Sequence, residues 1–267
     1  MEPAICSSFD RDIPFAQAIP MIRDAGFEVV CVLPEAEDSS DAAAAKRATM
    51  LELLEDNGMT VDSVHAPFPE GDRLFSLDEA ERAESIRQCE AALDTAVELD
   101  GRIVVIHLIQ PYDIPEGPVR SAMIEQGRRS VGVLVERAGR RGVKLALENG
   151  QRLAYDQVLT ALLTEFDDEH VGFCYDIGHE NVQGTCFRLL EQWGHRLQTL
   201  HIHDNHGSDT HELPYEGTID WDGFREVLGG LDYTGNLLLE VGTGNSQFKD
   251  PAVFLAEAMA RAERLLG

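Results

Sequence analysis

Short apolar runs alternate with longer stretches in which apolar residues recur at helical spacing, and this alternation continues along the whole chain. Apolar runs of about four to eight residues predict buried strands, and a 3.6-residue period predicts helices that cover them. The predicted strands are 4–9, 28–33, 60–66, 102–108, 143–148, 170–176, 197–203 and 236–241. The predicted helices are 14–26, 41–57, 77–99, 118–141, 155–166, 185–194, 221–231 and 251–266.

The number of these strand–helix units indicates the fold class. Eight units in 267 residues match the α/β architecture of a (β/α)8 TIM barrel in count and in length. A doubly wound open sheet is the alternative, but it calls for a glycine-rich phosphate-binding turn after the first strand, and the segment after 4–9 has none. Because no linker divides the chain, we expect residues 1–267 to form a single barrel domain.

Side chains of the metal-binding type stand at the C-terminal ends of the predicted strands. In a parallel barrel these ends converge on one rim, where active sites lie. Histidines and carboxylates that approach one point from distant parts of the sequence indicate a metalloenzyme. The residues that close the apolar runs are His65, His107, Glu148, Asp176, His201 and Glu240.

Glu148 and Glu240 are the predicted catalytic residues. Each follows at least three apolar residues, so each should point from a strand end into the central pocket. Two carboxylates that share a cation and approach one substrate carbon from different sides suit removal of a proton and its return elsewhere. The alternative is a pair of structural charges in salt bridges, but basic residues are scarce, at 22 Lys and Arg against 48 Asp and Glu.

The segments GFCYDIGHEN and HIHDNHGSDTHELPYEG contribute further candidates. Asp176 and His179 are spaced to face the same rim, and His201 is well placed to bind a metal through a neutral ring nitrogen. The other rim histidines could equally be core or exposed loop residues. The candidates for substrate contact or additional metal binding are His65, His107, His179, His203, Asp209 and His211.

Taken together, these residues resemble the xylose isomerase-like barrel superfamily, in particular its sugar phosphate isomerase/epimerase branch, to which the endonuclease IV family is related. The resemblance covers essentially the full chain and rests on HAPF, LEN, DIGH, HIHDN, DTH, EG-x-IDW and LLLEV. It implies one divalent metal ion, an acid/base pair formed by Glu148 and Glu240, and substrate contact by His179. The four ligands that it implies are Glu148, Asp176, His201 and Glu240. Such a carboxylate-rich set suits Mn, Mg or Co, while the histidines leave zinc open.

Two departures from the family patterns bear on the substrate. Ketose 3-epimerases commonly carry an arginine six residues after the strand-seven histidine, where this chain has Gly207, which argues against a tagatose- or psicose-type substrate. Conversely, every ligand position of the endonuclease IV trinuclear zinc cluster is filled, which keeps a multinuclear zinc phosphodiesterase as an alternative. Against it stand a short loop after His201, the segment PFPEGDRLF after His65, and a net charge of −26, because DNA binding requires clustered basic residues.

The sequence therefore predicts a metal-dependent isomerase or epimerase of a small sugar or sugar-phosphate-like compound, acting through a metal-stabilised enediolate. A dehydratase or lyase could share that intermediate, and a non-catalytic metal- or sugar-binding barrel is a further alternative. The N-terminus lacks the pattern of a signal peptide, and no apolar run approaches the roughly 20 residues that span a bilayer. We expect a cytoplasmic, acidic protein with a small-molecule sugar as partner and neither membrane nor nucleic acid. A homo-oligomer is compatible with the sequence.

Overall fold

The computed structural model describes residues 1–36 and 41–267, and these form a parallel barrel in which strands alternate with helices. The strands are β1 (Pro3–Cys6), β2 (Val29–Val32), β3 (Thr60–His65), β4 (Ile103–Ile106), β5 (Lys144–Glu148), β6 (Val171–Asp176), β7 (Leu197–His201) and β8 (Leu237–Leu239). The helices are α1 (Phe15–Asp24), α2 (Asp41–Asp56), α3 (Glu79–Glu98), α4 (Pro118–Arg141), α5 (Leu153–Glu165), α6 (Ile177–Gln183), α7 (Arg188–Trp193), α8 (Trp221–Gly229) and α9 (Pro251–Leu266).

The order of the strands confirms the predicted (β/α)8 TIM barrel. Within the described residues, neighbouring strands follow the order β7-β6-β5-β4-β3-β2-β1-β8. The remaining seam, between β7 and β8, is bridged just beyond the end of β7. Ile202 donates its amide to the carbonyl of Leu238 at 2.9 Å, and its own carbonyl accepts from the amide of Glu240 at 3.0 Å. This closure draws the ends of β7 and β8 together at the rim.

The interior of the barrel is filled by side chains. Ala4, Cys6, Val29, Cys31 and Leu238 form a buried cluster separate from the main core, as expected for strand positions that alternate with those facing the helices. Polar side chains also form hydrogen bonds between strands and loops: the Asp62 carboxylate accepts from Thr199 Oγ1 at 2.8 Å and from Asn236 Nδ2 at 2.9 Å. A filled barrel leaves its rims as the places where functional groups can meet solvent.

Several local features differ from the predictions. The helix predicted at 77–99 begins at Glu79, as α3, because the Asp78 carboxylate accepts from the amides of Ala80 and Glu81. The helix predicted at 185–194 is present as the shorter α7, and an additional helix that was not predicted, α6, precedes it. Helix α6 begins directly after β6, because Asp176 caps it by accepting the amide of His179 at 2.6 Å. The strands are also shorter than predicted by up to three residues at one end, as in β1 and β8.

Among the described helices, none combines the length and the apolar content that crossing a bilayer requires.

Candidate functional site

Four side chains from neighbouring parts of the barrel meet at the C-terminal rim. Glu148, Asp176 and His201 are the last residues of β5, β6 and β7, and Glu240 directly follows β8. Each offers a ligand atom, and these four atoms lie within 4.8 Å of one another. The first three side chains are at most 1% exposed, whereas the side chain of Glu240 is 18% exposed. The group therefore opens to solvent on the side of Glu240.

His201 lies between the two glutamates. Its Nδ1 is 3.3 Å from Glu148 Oε2 and 3.0 Å from Glu240 Oε2. Although the residue is fully buried, neither ring nitrogen makes a hydrogen bond to any part of the chain that the structure describes. Buried polar atoms normally have a partner. An unpartnered imidazole nitrogen beside carboxylates is the donor set that a divalent cation fits.

Both glutamates are carboxylates at neutral pH. Burial would raise the pKa of Glu148, but the charges of His201 and His107 outweigh it and hold that pKa well below the usual range. Burial likewise opposes ionisation of Glu240, and the interaction with His201 again lowers its pKa. Glu148 is also in contact with the Nε2 atoms of His65 and His107, both at 3.3 Å. The pair is thus negatively charged and can bind a cation.

A second group of side chains adjoins the first on the same rim. Asp209 lies 3.2 Å from His211 Nε2 and 3.6 Å from His179 Nε2, and His203 Nε2 lies 3.2 Å from each carboxylate oxygen of Asp176. The rings of His203 and His211 stack with centroids 4.1 Å apart. His203, Asp209 and His211 form one possible ligand set, and Asp176, His179 and His203 form another.

The carboxylates around His179 and His211 stabilise the protonated form of both imidazole rings. Burial alone would lower the pKa of His179, but Asp176, Asp209 and Glu148 outweigh it and raise the pKa to about 9. For His211, burial is again opposed, chiefly by Asp209 and Glu240, and the pKa rises to about 10. Without a bound cation, these two imidazolium rings supply part of the positive charge that the carboxylates attract.

Backbone carbonyls orient three of the rim histidines. The Nδ1 atoms of His65, His179 and His211 lie 2.7–2.8 Å from the carbonyl oxygens of Ala66, Asn149 and Glu240 respectively. An Nδ1–H that donates to a carbonyl leaves Nε2 facing the cluster. The sequence cannot predict contacts of this kind, because every residue has a backbone carbonyl that could accept the bond. The roles of these histidines as ligands or substrate contacts stay predictions.

A glycine makes room for one of these rings. Any Cβ at Gly178, in the first turn of α6, would collide with the imidazole of His203. The glycine of the DIGH string therefore allows α6 to pack directly on the end of β7.

Asp204, whose role the sequence left undefined, organises the loop that carries Asp209 and His211. It is fully buried, and its carboxylate accepts from the indole N–H of Trp221 at 2.9 Å and from the amides of Tyr215 and Ile219 at 3.0 and 3.2 Å. The most distant of these donors, Trp221, is 17 residues from Asp204 in the sequence. Asp204 and Trp221 lie in the strings HIHDN and EG-x-IDW, but nothing in the sequence indicated that the two residues are in contact.

We expect Asp204→Ala to destabilise the protein by about 3 kcal/mol, because it leaves several buried donors without an acceptor. For a chain of this size, that corresponds to a fall in Tm of roughly 6–12 °C. Thermal unfolding measures it, with Asp220→Ala as the control. Asp220 is an exposed cap that accepts the amide of Gly223, so its loss should cost only about 1 kcal/mol. Equal losses in both variants would contradict the role of Asp204.

Comparisons with known proteins are consistent with this architecture. The sequence model of a family described as xylose isomerase-like TIM barrel matches residues 19–263. An uncharacterized protein of Sinorhizobium fredii is 27% identical over 251 residues, covering 84% of this chain and 79% of the relative. A D-tagatose 3-epimerase-like protein has a TM-score of 0.80 at 23% identity, over 100% of this chain and 98% of its own. A D-psicose 3-epimerase has a TM-score of 0.78 at 19% identity, over 100% of both chains. At these identities, the similarity to the two solved structures shows a shared fold only.

Proposed function

Because the chain belongs to the xylose isomerase-like TIM barrel family, we propose that it is a divalent-metal-dependent isomerase or epimerase of a small sugar or a similar polyhydroxylated carbonyl compound. The observation that carries the proposal is the placement of two ionised glutamates, Glu148 and Glu240, on either side of the buried His201 Nδ1, which lies within 3.3 Å of both but makes no hydrogen bond within the described residues. The sugar epimerases among structures of this fold support the same reaction class.

The residues that would hold the metal are Glu148, Asp176, His201 and Glu240. Three carboxylates at mutual ligand distance carry excess negative charge, and a cation would neutralise it. When bound, a divalent ion polarises a carbonyl and a neighbouring hydroxyl of the substrate. The share of carboxylate oxygen suits Mn²⁺, Mg²⁺ or Co²⁺, and the histidine leaves zinc open.

The side chains of the protein would carry the proton. One glutamate removes a proton from the carbon beside the substrate carbonyl, and the other returns one to a neighbouring carbon or to the opposite face. Their low pKa values keep both carboxylates ionised at neutral pH, which is the form that can take up a proton. His179 and His211 lie beside them and are placed to donate hydrogen bonds to substrate hydroxyls. This arrangement would also permit loss of a hydroxyl from the enediolate, the dehydratase or lyase reaction.

The substrate is expected to differ from the free ketoses of the 3-epimerases. At Gly207, where those enzymes commonly carry an arginine, the backbone has φ +90°, and a Cβ would meet nothing within 4 Å. No side chain therefore reaches the site from this position. A different part of the rim must hold the remote hydroxyls of the substrate.

A multinuclear phosphodiesterase is the second candidate, and one observation favours it. The ligand set His65–Glu148–His201 shares two residues with the central group, and the set His203–Asp209–His211 lies on the same rim, so more than one metal ion could bind here. The net charge of −26 opposes binding to a nucleic acid backbone. We therefore rank this activity below the isomerase.

Metal content separates the two candidates. For protein purified without added metal, elemental analysis should find about one equivalent of Mn, Co or Mg per chain, and a panel of ketoses and aldoses should reveal turnover. Two or three equivalents of zinc, together with cleavage of DNA at abasic sites, would contradict the isomerase and support the phosphodiesterase.

A further inference from the structure

A cavity of about 460 Å³ lies on the same rim, beside the carboxylate cluster. Its walls come from three loops, the β4–α4 loop, the β5–α5 loop and the α6–α7 loop, together with the first turn of α5. All three loops follow the C-terminal ends of strands or the helix that directly follows one. The cavity therefore opens in the direction from which a substrate reaches the cluster.

Gln151 separates this cavity from the cluster. Its side chain lines the cavity, and its amide Nε2 donates to Asp209 Oδ2 at 2.8 Å. Within the central and second groups, the side chains with the largest exposure are Asp209, His211 and Glu240, at 24%, 33% and 18%. Gln151 therefore connects one of these exposed side chains, Asp209, to the lining of the cavity.

The lining of the cavity suits a neutral hydroxylated ring. Ile114 and the 53%-exposed Leu153 supply apolar surface, and the amide oxygen of Gln151, whose nitrogen donates to Asp209, supplies a hydrogen-bond acceptor beside it. A mostly apolar wall with a few polar groups is the usual composition of a small-molecule site, and this volume falls in the usual range. Arg152 is the basic residue of the lining, but Asp113 and Glu116 also line it, so the charge balance does not favour an anion.

We propose that this cavity is a subsite for a neutral sugar ring that the substrate carries beyond its reacting carbons, so that the substrate is a glycoside or a disaccharide-like compound. The inference rests on the proposed function, since it takes the reacting carbon to lie at the carboxylate cluster. The subsite would also contact the remote hydroxyls of the substrate, which the loop at Gly207 does not contact.

Ala154→Phe tests the subsite by filling it. Ala154 lies in the first turn of α5 and lines the cavity. The matched control is Ala161→Phe, two turns further along the same helix, where the side chain lines a separate groove between α4 and α5. Leu153→Ser, at an exposed position that places no demand on folding, removes apolar surface from the cavity without filling it.

The probe is methyl α-D-glucopyranoside, and its binding is measured by saturation-transfer NMR or calorimetry, independently of turnover. We expect millimolar affinity, at least tenfold weaker in Ala154→Phe, weaker in Leu153→Ser, and unchanged in Ala161→Phe and in Glu148→Gln. Binding no better than that of glycerol, or an unchanged affinity in Ala154→Phe, would overturn the subsite. Tighter binding of α-D-glucose 1-phosphate that disappears in Arg152→Gln would show an anion site instead.

Turnover separates a failure of the subsite from a failure of the proposed function. In Ala154→Phe, KM for a glycoside substrate should rise at least tenfold, while kcat/KM for any monosaccharide that the ketose and aldose panel shows to be turned over stays unchanged. Glucoside binding that depends on Ala154, without turnover of any sugar, would refute the isomerase and leave the subsite standing. Turnover that Ala154→Phe does not affect would refute the subsite alone.

Discussion

Glu240→Gln should lower kcat for sugar isomerisation by about 10³-fold, since general acid–base catalysis commonly contributes 10²–10⁴-fold. The amide keeps the shape of the side chain but cannot take up a proton from carbon. Glu148→Gln should have a similar effect, because one carboxylate removes the proton and the other returns it. Steady-state kinetics measures the loss, and incorporation of solvent deuterium at the reacting carbon shows whether the proton step itself is impaired.

Glu212→Gln is the matched control for these variants. Glu212 lies in the loop after β7 with its side chain 14% exposed, close to the 18% of Glu240, but its charged neighbour is the exposed His206 rather than the cluster. It should retain wild-type kcat. The unfolding temperatures of the two cluster variants should stay close to that of the wild type, so that lost activity reflects chemistry. Wild-type rates in both Glu148→Gln and Glu240→Gln would refute the assignment.

Removal of divalent metal should abolish turnover and change how stability depends on pH. In the metal-free protein, the pKa values of His179 and His211 are about 9 and about 10, against roughly 6.5 in an unfolded chain. The folded state then binds protons more tightly than the unfolded state. Their contribution to stability is fully present below about pH 6.5 and is lost as the pH rises through 9 and 10. The Tm in EDTA should therefore fall across that range.

Thermal unfolding between pH 6 and pH 10, with EDTA and with added Mn²⁺, Co²⁺ or Mg²⁺, measures this effect. His211→Gln should flatten the profile in EDTA, whereas His206→Gln should leave it unchanged because His206 is 62% exposed. Added metal should restore turnover. Full activity in excess chelator would contradict the metal-dependent assignment, and a Tm that rises between pH 7 and pH 9.5 in EDTA would contradict the raised pKa values of His179 and His211.

The barrel and the location of its functional rim could be predicted from the chain because both depend on local patterns. An apolar run buried on both faces forms a parallel strand, and the first polar residue after it necessarily lies at the rim. Glu148, Asp176 and His201 each hold that position, so the parallel geometry alone brings them together. The sequence also marked His203, Asp209 and His211, through two-residue spacings that place side chains on one side of the chain.

Other features depended on contacts between distant residues, and only the tertiary structure decided them. The bond between Asp204 and Trp221, the carbonyl groups that orient the histidines, and the cavity beside Gln151 join loops that have no periodicity of their own. Even the short helix α6 arises from a cap, Asp176, that the sequence had marked for another purpose. Local periodicity therefore determines which residues reach the rim, because it acts within a few residues. The packing of the loops determines which atoms they contact there, because it depends on the whole folded chain.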